Sequence, residues 1–233
     1  MPTPTEVLAA LLRSDPARPR VTFYDDSVNV GERIELSGKV LANWVSKAAN
    51  LLQDELEIGP GSVVRLRLPA QHWRTAYWAL AIWSVGATVE LSDNRPAQLL
   101  VTTQLGEAAA AEAAVLVTLA ALARRHPEPV PDNVVDEARE LATYADHFEA
   151  WDEAAPDADA LLTSTEALSY ADVVPAVDWP AGSRVRVTGD GAAGLRHILG
   201  AWGVDGSVVL VLGPDAARMP ARLASEGVTL DLG

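Results

Sequence analysis

The spacing of apolar positions along this chain changes several times, and each change marks an element. An apolar run from Val7 to Leu12 falls in a predicted helix over residues 5–14, with Thr3 or Thr5 as its cap. Residues 21–24 read as a strand, 25–31 as a turn and 33–36 as an antiparallel partner. Ser37 can cap the next helix. Along it, Val40, Leu41, Trp44, Val45, Ala48, Leu51 and Leu52 recur at helical spacing and make one broad apolar face. Gly59-Pro60-Gly61 ends that helix. In a strand over 62–68, Val64, Leu66 and Leu68 point one way and Arg65 and Arg67 the other, until Pro69 stops it. A helix over 71–85 is apolar nearly all round, and Gly86 suits the position just past its end. Residues 87–91 then form a strand. Such a strand–helix–strand unit predicts a parallel crossover.

Further strands are predicted at 99–102 and 115–118. Residues 127–159 change character: acids dominate, and helical turns and loops are expected. Beyond them strands at 160–163, 184–188, 207–212 and 228–232 alternate with helices at 192–202 and 216–226. The pattern is that of an α/β protein with a layered, mostly parallel sheet. Two subdomains are expected, 1–126 and 160–233, joined by the acidic segment 127–159. Trp44, Trp78 and Trp83 sit on wide apolar faces and are expected to be largely buried.

Charge narrows the function. A formal net charge of -14 and a pI near 4.6 argue against binding nucleic acid or an anionic membrane. The longest apolar stretch, 113–123, is well below the ~20 residues of a membrane span, and residues 1–19 lack the basic start of a signal peptide. A cytoplasmic protein is expected. A protein partner is the class left open, with the acidic residues 132–159 as its candidate surface; the alternative is that they form a solvated face. Only two lysines occur, Lys39 and Lys47, and there is no Cys, which excludes thiolate metal sites and Cys nucleophiles. His72, His126, His147 and His197 have no metal-ligand spacing, and no G-x-S-x-G elbow is present.

Several passages carry a family resemblance. Ile34-Glu35-Leu36-Ser37, Ala48-Ala49-Asn50-Leu51-Leu52 and Ile58-Gly59-Pro60-Gly61-Ser62-Val63-Val64 resemble the opening of the AMP-binding, acyl-CoA synthetase-like enzymes. Leu68-Pro69-Ala70-Gln71-His72-Trp73 is similar to that family's L-P-N-x-x-x-W turn, and Val85-Gly86-Ala87 to its helix-to-strand passage. Leu168-Ser169-Tyr170-Ala171-Asp172 resembles the start of a family helix. Gly194-Leu195 and Glu226-Gly227-Val228-Thr229 resemble passages later in the large domain. The resemblance implies part of that domain's fold.

It also implies what is missing. The family's Gly-rich loop, ending in Pro-Lys-Gly, cradles ATP phosphates on backbone N–H groups. Here Leu161-Leu162-Thr163-Ser164-Thr165-Glu166-Ala167-Leu168-Ser169 stands in its place, with no Gly, Lys or Pro, and Glu166 would repel a phosphate. On this resemblance Thr163, Ser164 and Thr165 are what is left of the phosphate-loop region, three hydroxyls that could bind an anion at a following helix start. The alternative is that these hydroxyls end a strand and cap a helix. The family's adenine turn, ribose-binding Asp, hinge and catalytic Lys lie beyond the point matched by residue 233. The expectation is a truncated, non-catalytic homologue without a cofactor, in an interaction or regulatory role.

Two other readings stand beside it. One is half of a split ligase, completed by a separate chain. The other uses Gly189, Gly191 and Gly194, a G-x-G-x-x-G turn between a strand and a helix, with Asp215 at the distance of a ribose-binding acid. That arrangement fits an NAD or FAD fingerprint. The alternative for Asp215 is that Pro214-Asp215 opens the next helix.

Overall fold

The computed structural model describes residues 1–27, 31–189 and 191–233. Part of the turn expected over 25–31, and Asp190 of the glycine-rich turn, lie outside the described residues. The chain divides into two compact units. One comprises Met1–Ala42, Pro69–Ala76 and Ala171–Gly233, the other Asn43–Leu68 and Tyr77–Tyr170.

The first unit is built on a five-stranded sheet. Its strands are β1 (Pro19–Asp25), β2 (Glu32–Ser37), β10 (Arg184–Arg186), β11 (Ser207–Leu212) and β12 (Leu230–Asp231), in the order β12-β10-β11-β1-β2. β1 pairs antiparallel with β2, Phe23 opposite Ile34, and parallel with β11, Phe23 opposite Leu210. Helix α1 (Pro4–Ser14) packs on α6 (Gly191–Gly203) and buries Val7, Leu8 and Leu11. Its start is a capping box: the Glu6 N–H donates to Thr3 Oγ1 at 3.3 Å, and the Thr3 N–H to Glu6 Oε2 at 2.7 Å. Thr3→Ala is expected to cost about 1 kcal/mol, read as a lower urea midpoint at unchanged slope.

Polar groups also hold this unit together. Arg20 is fully buried, donates to the carbonyls of Asp205 at 2.7 Å and Gly206 at 3.2 Å, and pairs with the Asp205 carboxylate at 2.8 Å. It thereby fixes the approach to β11. Helix α7 (Met219–Ser225) is held by Arg222, which grips Asp26 with two hydrogen bonds of 2.5 and 2.8 Å. Its guanidinium lies 4.1 Å from the centre of the Tyr24 ring. The Arg222 guanidinium holds the Asp26 carboxyl below the usual carboxylate range.

The second unit carries a seven-stranded sheet. Its strands are β3 (Val63–Arg67), β4 (Thr88–Glu90), β5 (Leu99–Thr102), β6 (Ala114–Leu116), β7 (Val134–Asp136), β8 (Asp159–Leu162) and β9 (Ala167–Ser169), in the order β7-β6-β5-β3-β4-β8-β9. All pairs are parallel except β8 with β9. Helices α2 (Gly38–Asn50) and α3 (Trp73–Ser84) each contribute residues to both units. The short helices α4 (Leu105–Ala110) and α5 (Glu137–Glu140) belong to the second, as does a π-helical turn, Leu51–Glu55.

The predicted crossover is present: β3 and β4 pair parallel, Val64 opposite Val89, with α3 between them in sequence. Gly86 turns the chain after α3 at φ +77°, and a Cβ there would stand 2.9 Å from Pro60 Cγ, so only glycine fits. Trp78 and Trp83 are buried as expected. Trp44 is only half-buried. It stacks on Tyr77 with ring centres 5.7 Å apart, because its side of α2 is a margin of the apolar face and not its middle.

Three short elements differ from expectation. β7 lies in the acidic segment expected to be turns and loops, and α4 follows β5 where no helix is predicted. Residues 168–172, expected to begin a helix, place Leu168 and Ser169 in β9 and the rest in a turn. β9 forms because the sheet edge at β8 offers it unpaired backbone groups, and Leu168 takes the place opposite Leu161.

Candidate functional site

Parallel sheets bind ligands beyond the carboxyl ends of their strands, where loops converge and strand order reverses. In the seven-stranded sheet that reversal lies between β3 and β5, since β4 follows β3 on one side and β5 returns to the other. Arg67 ends β3 and Thr102 ends β5. The Arg67 guanidinium donates to Glu107 Oε1 at 2.8 Å and also to Asp93. Thr102 Oγ1 donates to the other Glu107 oxygen at 2.9 Å, and Arg65 approaches Asp93 at 3.5 Å. The hydrogen bond to Arg67 holds the Asp93 carboxyl below its usual range, and the bond to Asp93 raises Arg67. A guanidinium that could take an anion at this crevice is thus engaged by two carboxylates of the chain itself. At the end of β4, buried Glu90 accepts from the Ser92 N–H at 2.6 Å and the Ser92 hydroxyl at 2.5 Å.

β8 leads from the same edge of the sheet into the phosphate-loop position. Residues 163–166 form a tight hairpin turn between β8 and β9, closed by the Thr163 N–H donating to the Glu166 carbonyl at 2.9 Å. Thr163 Oγ1 accepts from the Glu166 N–H at 3.0 Å and the Thr165 N–H at 3.2 Å. These two N–H groups point at a side chain of the turn, not outward to a ligand. Ser164, Thr165 and Glu166 are exposed. The hydroxyls therefore end a strand, as one reading of the sequence had it, but they close a hairpin and cap no helix.

The glycine-rich turn lies in the first unit. β10, α6 and β11 follow as strand, helix and parallel strand, with Val185 opposite Val208. Gly189 and Gly191 take positive φ, +97° and +41°. Gly194 is buried in the first turns of α6, and a Cβ on it would lie 3.4 Å from the Gly189 carbonyl oxygen. That oxygen accepts from the Gln71 side-chain amide. Asp215 is engaged locally: its carboxylate accepts the Ala217 N–H at 2.9 Å and pairs with Arg218 at 3.2 Å. Its carbonyl accepts from the N–H groups of Arg218 and Met219, both at 3.1 Å, so Asp215 opens the turn into α7.

The remaining candidates are structural. Lys47 donates to the carbonyls of Ala142 and Tyr144. His72 is buried against Phe23, its Nδ1 accepting the Arg74 N–H at 3.1 Å. Burial, and then the charge of Arg74, pull its pKa down to about 3. Among the described residues no cluster of His, Cys, Asp and Glu could hold a metal ion, and no helix is long and apolar enough to cross a membrane. The charged group around Arg67 went unremarked in the sequence. Its one signal is the alternation in β3, which aligns Arg65 and Arg67 on one face.

No family model matches the chain. A protein of Mycobacterium tuberculosis (strain ATCC 25618 / H37Rv) called TIGR03089 family protein is 37% identical in an alignment that covers 98% of this chain and 99% of that protein. In fold the chain is similar to an acyl-CoA synthetase of Brucella canis, with a TM-score of 0.76 at 16% identity, over 96% of this chain and 46% of that one. It is similar to coronafacic acid ligase of Pectobacterium brasiliense, with a TM-score of 0.73 at 12% identity, over 98% of this chain and 49% of that one. The N-terminal domain of FACL13 from Mycobacterium tuberculosis gives a TM-score of 0.71 at 13% identity, over 99% of this chain and 62% of that one. The chain thus spans about half the length of the first two enzymes, and the fold is that of the N-terminal part of adenylate-forming proteins.

Proposed function

This chain belongs to the TIGR03089 family, and we propose that it is a non-catalytic relative of the adenylate-forming enzymes, with an interaction or regulatory role. The observation that carries this reading is the 163–166 turn. A phosphate loop works by offering several N–H groups outward to an anion. Here the N–H groups of Thr165 and Glu166 are bound by the Thr163 hydroxyl, and Glu166 adds a negative charge. The ion pairs of Arg67 at the sheet's carboxyl edge support the same conclusion.

The test is pyrophosphate exchange with a panel of carboxylic acids, beside ATP calorimetry. Neither signal is expected above a no-enzyme blank. Steady exchange by the purified chain, abolished by Thr163→Ala, would overturn the reading. Exchange that arises only on adding a second purified chain would instead favour half of a split ligase.

A second reading has one observation in its favour, the strand–turn–helix–strand geometry with positive φ at Gly189 and Gly191. It makes the turn an NAD or FAD site. Its test is titration of both dinucleotides into the wild type and Gly191→Asp. The local engagement of Asp215 predicts no saturable binding to either protein.

A further inference from the structure

The sheet of the first unit ends on an open strand. β2 pairs with β1 on one side and, among the described residues, with no strand on the other. Which of its backbone groups face outward follows from the pairing. The Asp26 N–H donates to the Leu212 carbonyl at 2.9 Å, so along β1 the even-numbered groups turn toward β11 and the odd-numbered ones toward β2. Phe23 stands opposite Ile34, so Glu32, Ile34 and Leu36 use their N–H and carbonyl groups on β1. Those of Arg33 and Glu35 point out of the open edge.

Folds usually guard such an edge with charge. Arg33 and Glu35 are exposed and charged, but of opposite sign. Their side chains share one face of the strand and pair with each other at 2.8 Å, while half-buried Ile34 lies on the other face. A guard of one sign would repel a second copy of itself. An alternating guard repels that copy in some registers and admits it in another. Outward groups pair only with outward groups, so antiparallel registers differ in steps of two residues. Centred on Arg33, the pairing sets arginine against arginine; centred on Glu35, it sets glutamate against glutamate. Centred on Ile34, it sets Arg33 opposite the partner's Glu35 and Glu35 opposite the partner's Arg33, and the two Ile34 side chains meet on the other face.

We propose that β2 is a self-association edge. Two copies of the chain join antiparallel through it, about a two-fold axis at Ile34, and their five-stranded sheets run on as one. Each pairing of Arg33 with the partner's Glu35 also exchanges both backbone hydrogen bonds. Arg33 keeps its Nε–H bond to Glu226 at 3.2 Å, because a guanidinium has five donors and the others can reach the partner. This inference is independent of whether the chain adenylates.

The experiment is sedimentation velocity of the full chain at physiological ionic strength, where screening confines the repulsion between two copies of net charge -14 to about 8 Å. A monomer–dimer equilibrium is expected. Glu35→Pro removes an outward N–H and no bond to β1, so the monomer stays folded and the dissociation constant should rise at least tenfold. Glu35→Arg sets arginine against arginine and should do the same. Arg33→Glu alone should also weaken the dimer. Mixed with Glu35→Arg, it brings opposite charges together again at both pairs, and a heterodimer should form. Hydrogen exchange locates the contact: raising the protein concentration should protect the amides of Arg33 and Glu35 more than that of Ile34, which is already bonded to β1. A chain monomeric at every concentration would overturn the proposal. So would a dimer that survives Glu35→Pro, protection confined to other residues, or a mixture of the two folded charge variants that does not associate. Where Arg33→Glu, placed beside Glu226, fails to fold, a dimer that survives Glu35→Arg overturns it alone.

Discussion

Trp83→Ala is expected to destabilise the protein by about 3–5 kcal/mol. Trp83 retains 2% of its surface exposed and is among the largest side chains in the core of the second unit. Its indole N–H donates to the Ala160 carbonyl at 2.8 Å, at the start of β8. Truncation would open a large cavity and leave that buried carbonyl without its donor. Tyr170 reinforces the same corner, its hydroxyl donating to the Ala87 carbonyl at 2.7 Å and the Trp83 carbonyl at 3.3 Å. Burial pushes the Tyr170 phenol above its ordinary pKa, as a neutral donor requires. The measurement is urea unfolding of wild type, Trp83→Phe and Trp83→Ala. Phenylalanine should recover more than half of the loss, since it restores most of the packing but not the hydrogen bond. A loss below about 1 kcal/mol for alanine would show that α3 does not form the core here.

The second large effect is in pH. His72 is buried and neutral, with a pKa pulled down to about 3 from the ordinary 6.5. The unfolded chain takes up a proton at this site near pH 6.5, while the folded chain does not until about pH 3. Between those values the unfolded state binds more protons, so stability falls as pH falls, and above pH 6.5 the site contributes no slope. The slope is about 1.4 kcal/mol per pH unit, or roughly 2–3 kcal/mol lost by pH 4.5. Protonation would also remove the acceptor that Nδ1 offers to the Arg74 N–H. The check is urea unfolding from pH 7.5 to 4.5 for wild type and His72→Gln. Glutamine does not titrate and still offers an oxygen. The difference in stability between the two proteins should therefore shrink, or reverse, as the pH drops from 6.5. A difference constant with pH would show that His72 is solvated and titrates as in the unfolded chain.

How much of this was legible in the sequence depended on how local its cause was. β5 and β11 form at the bounds that their apolar runs predict, and the β3–α3–β4 crossover follows from a change of period from 2 to 3.6 and back. β7 and β9, of three residues each, were not legible, because so short a strand has little pattern of its own and is stabilised by the neighbour that pairs with it. Residues 168–172 show the competition directly: their likeness to a helix start yielded to the open edge of β8.

The candidate site divides in the same way. That no glycine or lysine stands at 163–166, and that Glu166 does, is written in the chain itself. The alternation of β3, the cap at Thr3 and the turn at Gly86 are also set by the sequence, since each is decided by side chains within a few residues. Tertiary structure alone decided that the Thr163 hydroxyl binds two N–H groups across a hairpin, and that Arg67 meets Asp93 and Glu107 from 26 and 40 residues away. It alone decided that β5 pairs with β3. Periodicity and capping are properties of neighbours along the chain. Strand order, ion pairing and the desolvation of a charge depend on which distant segments share a sheet, and that is settled only when the whole core is buried together.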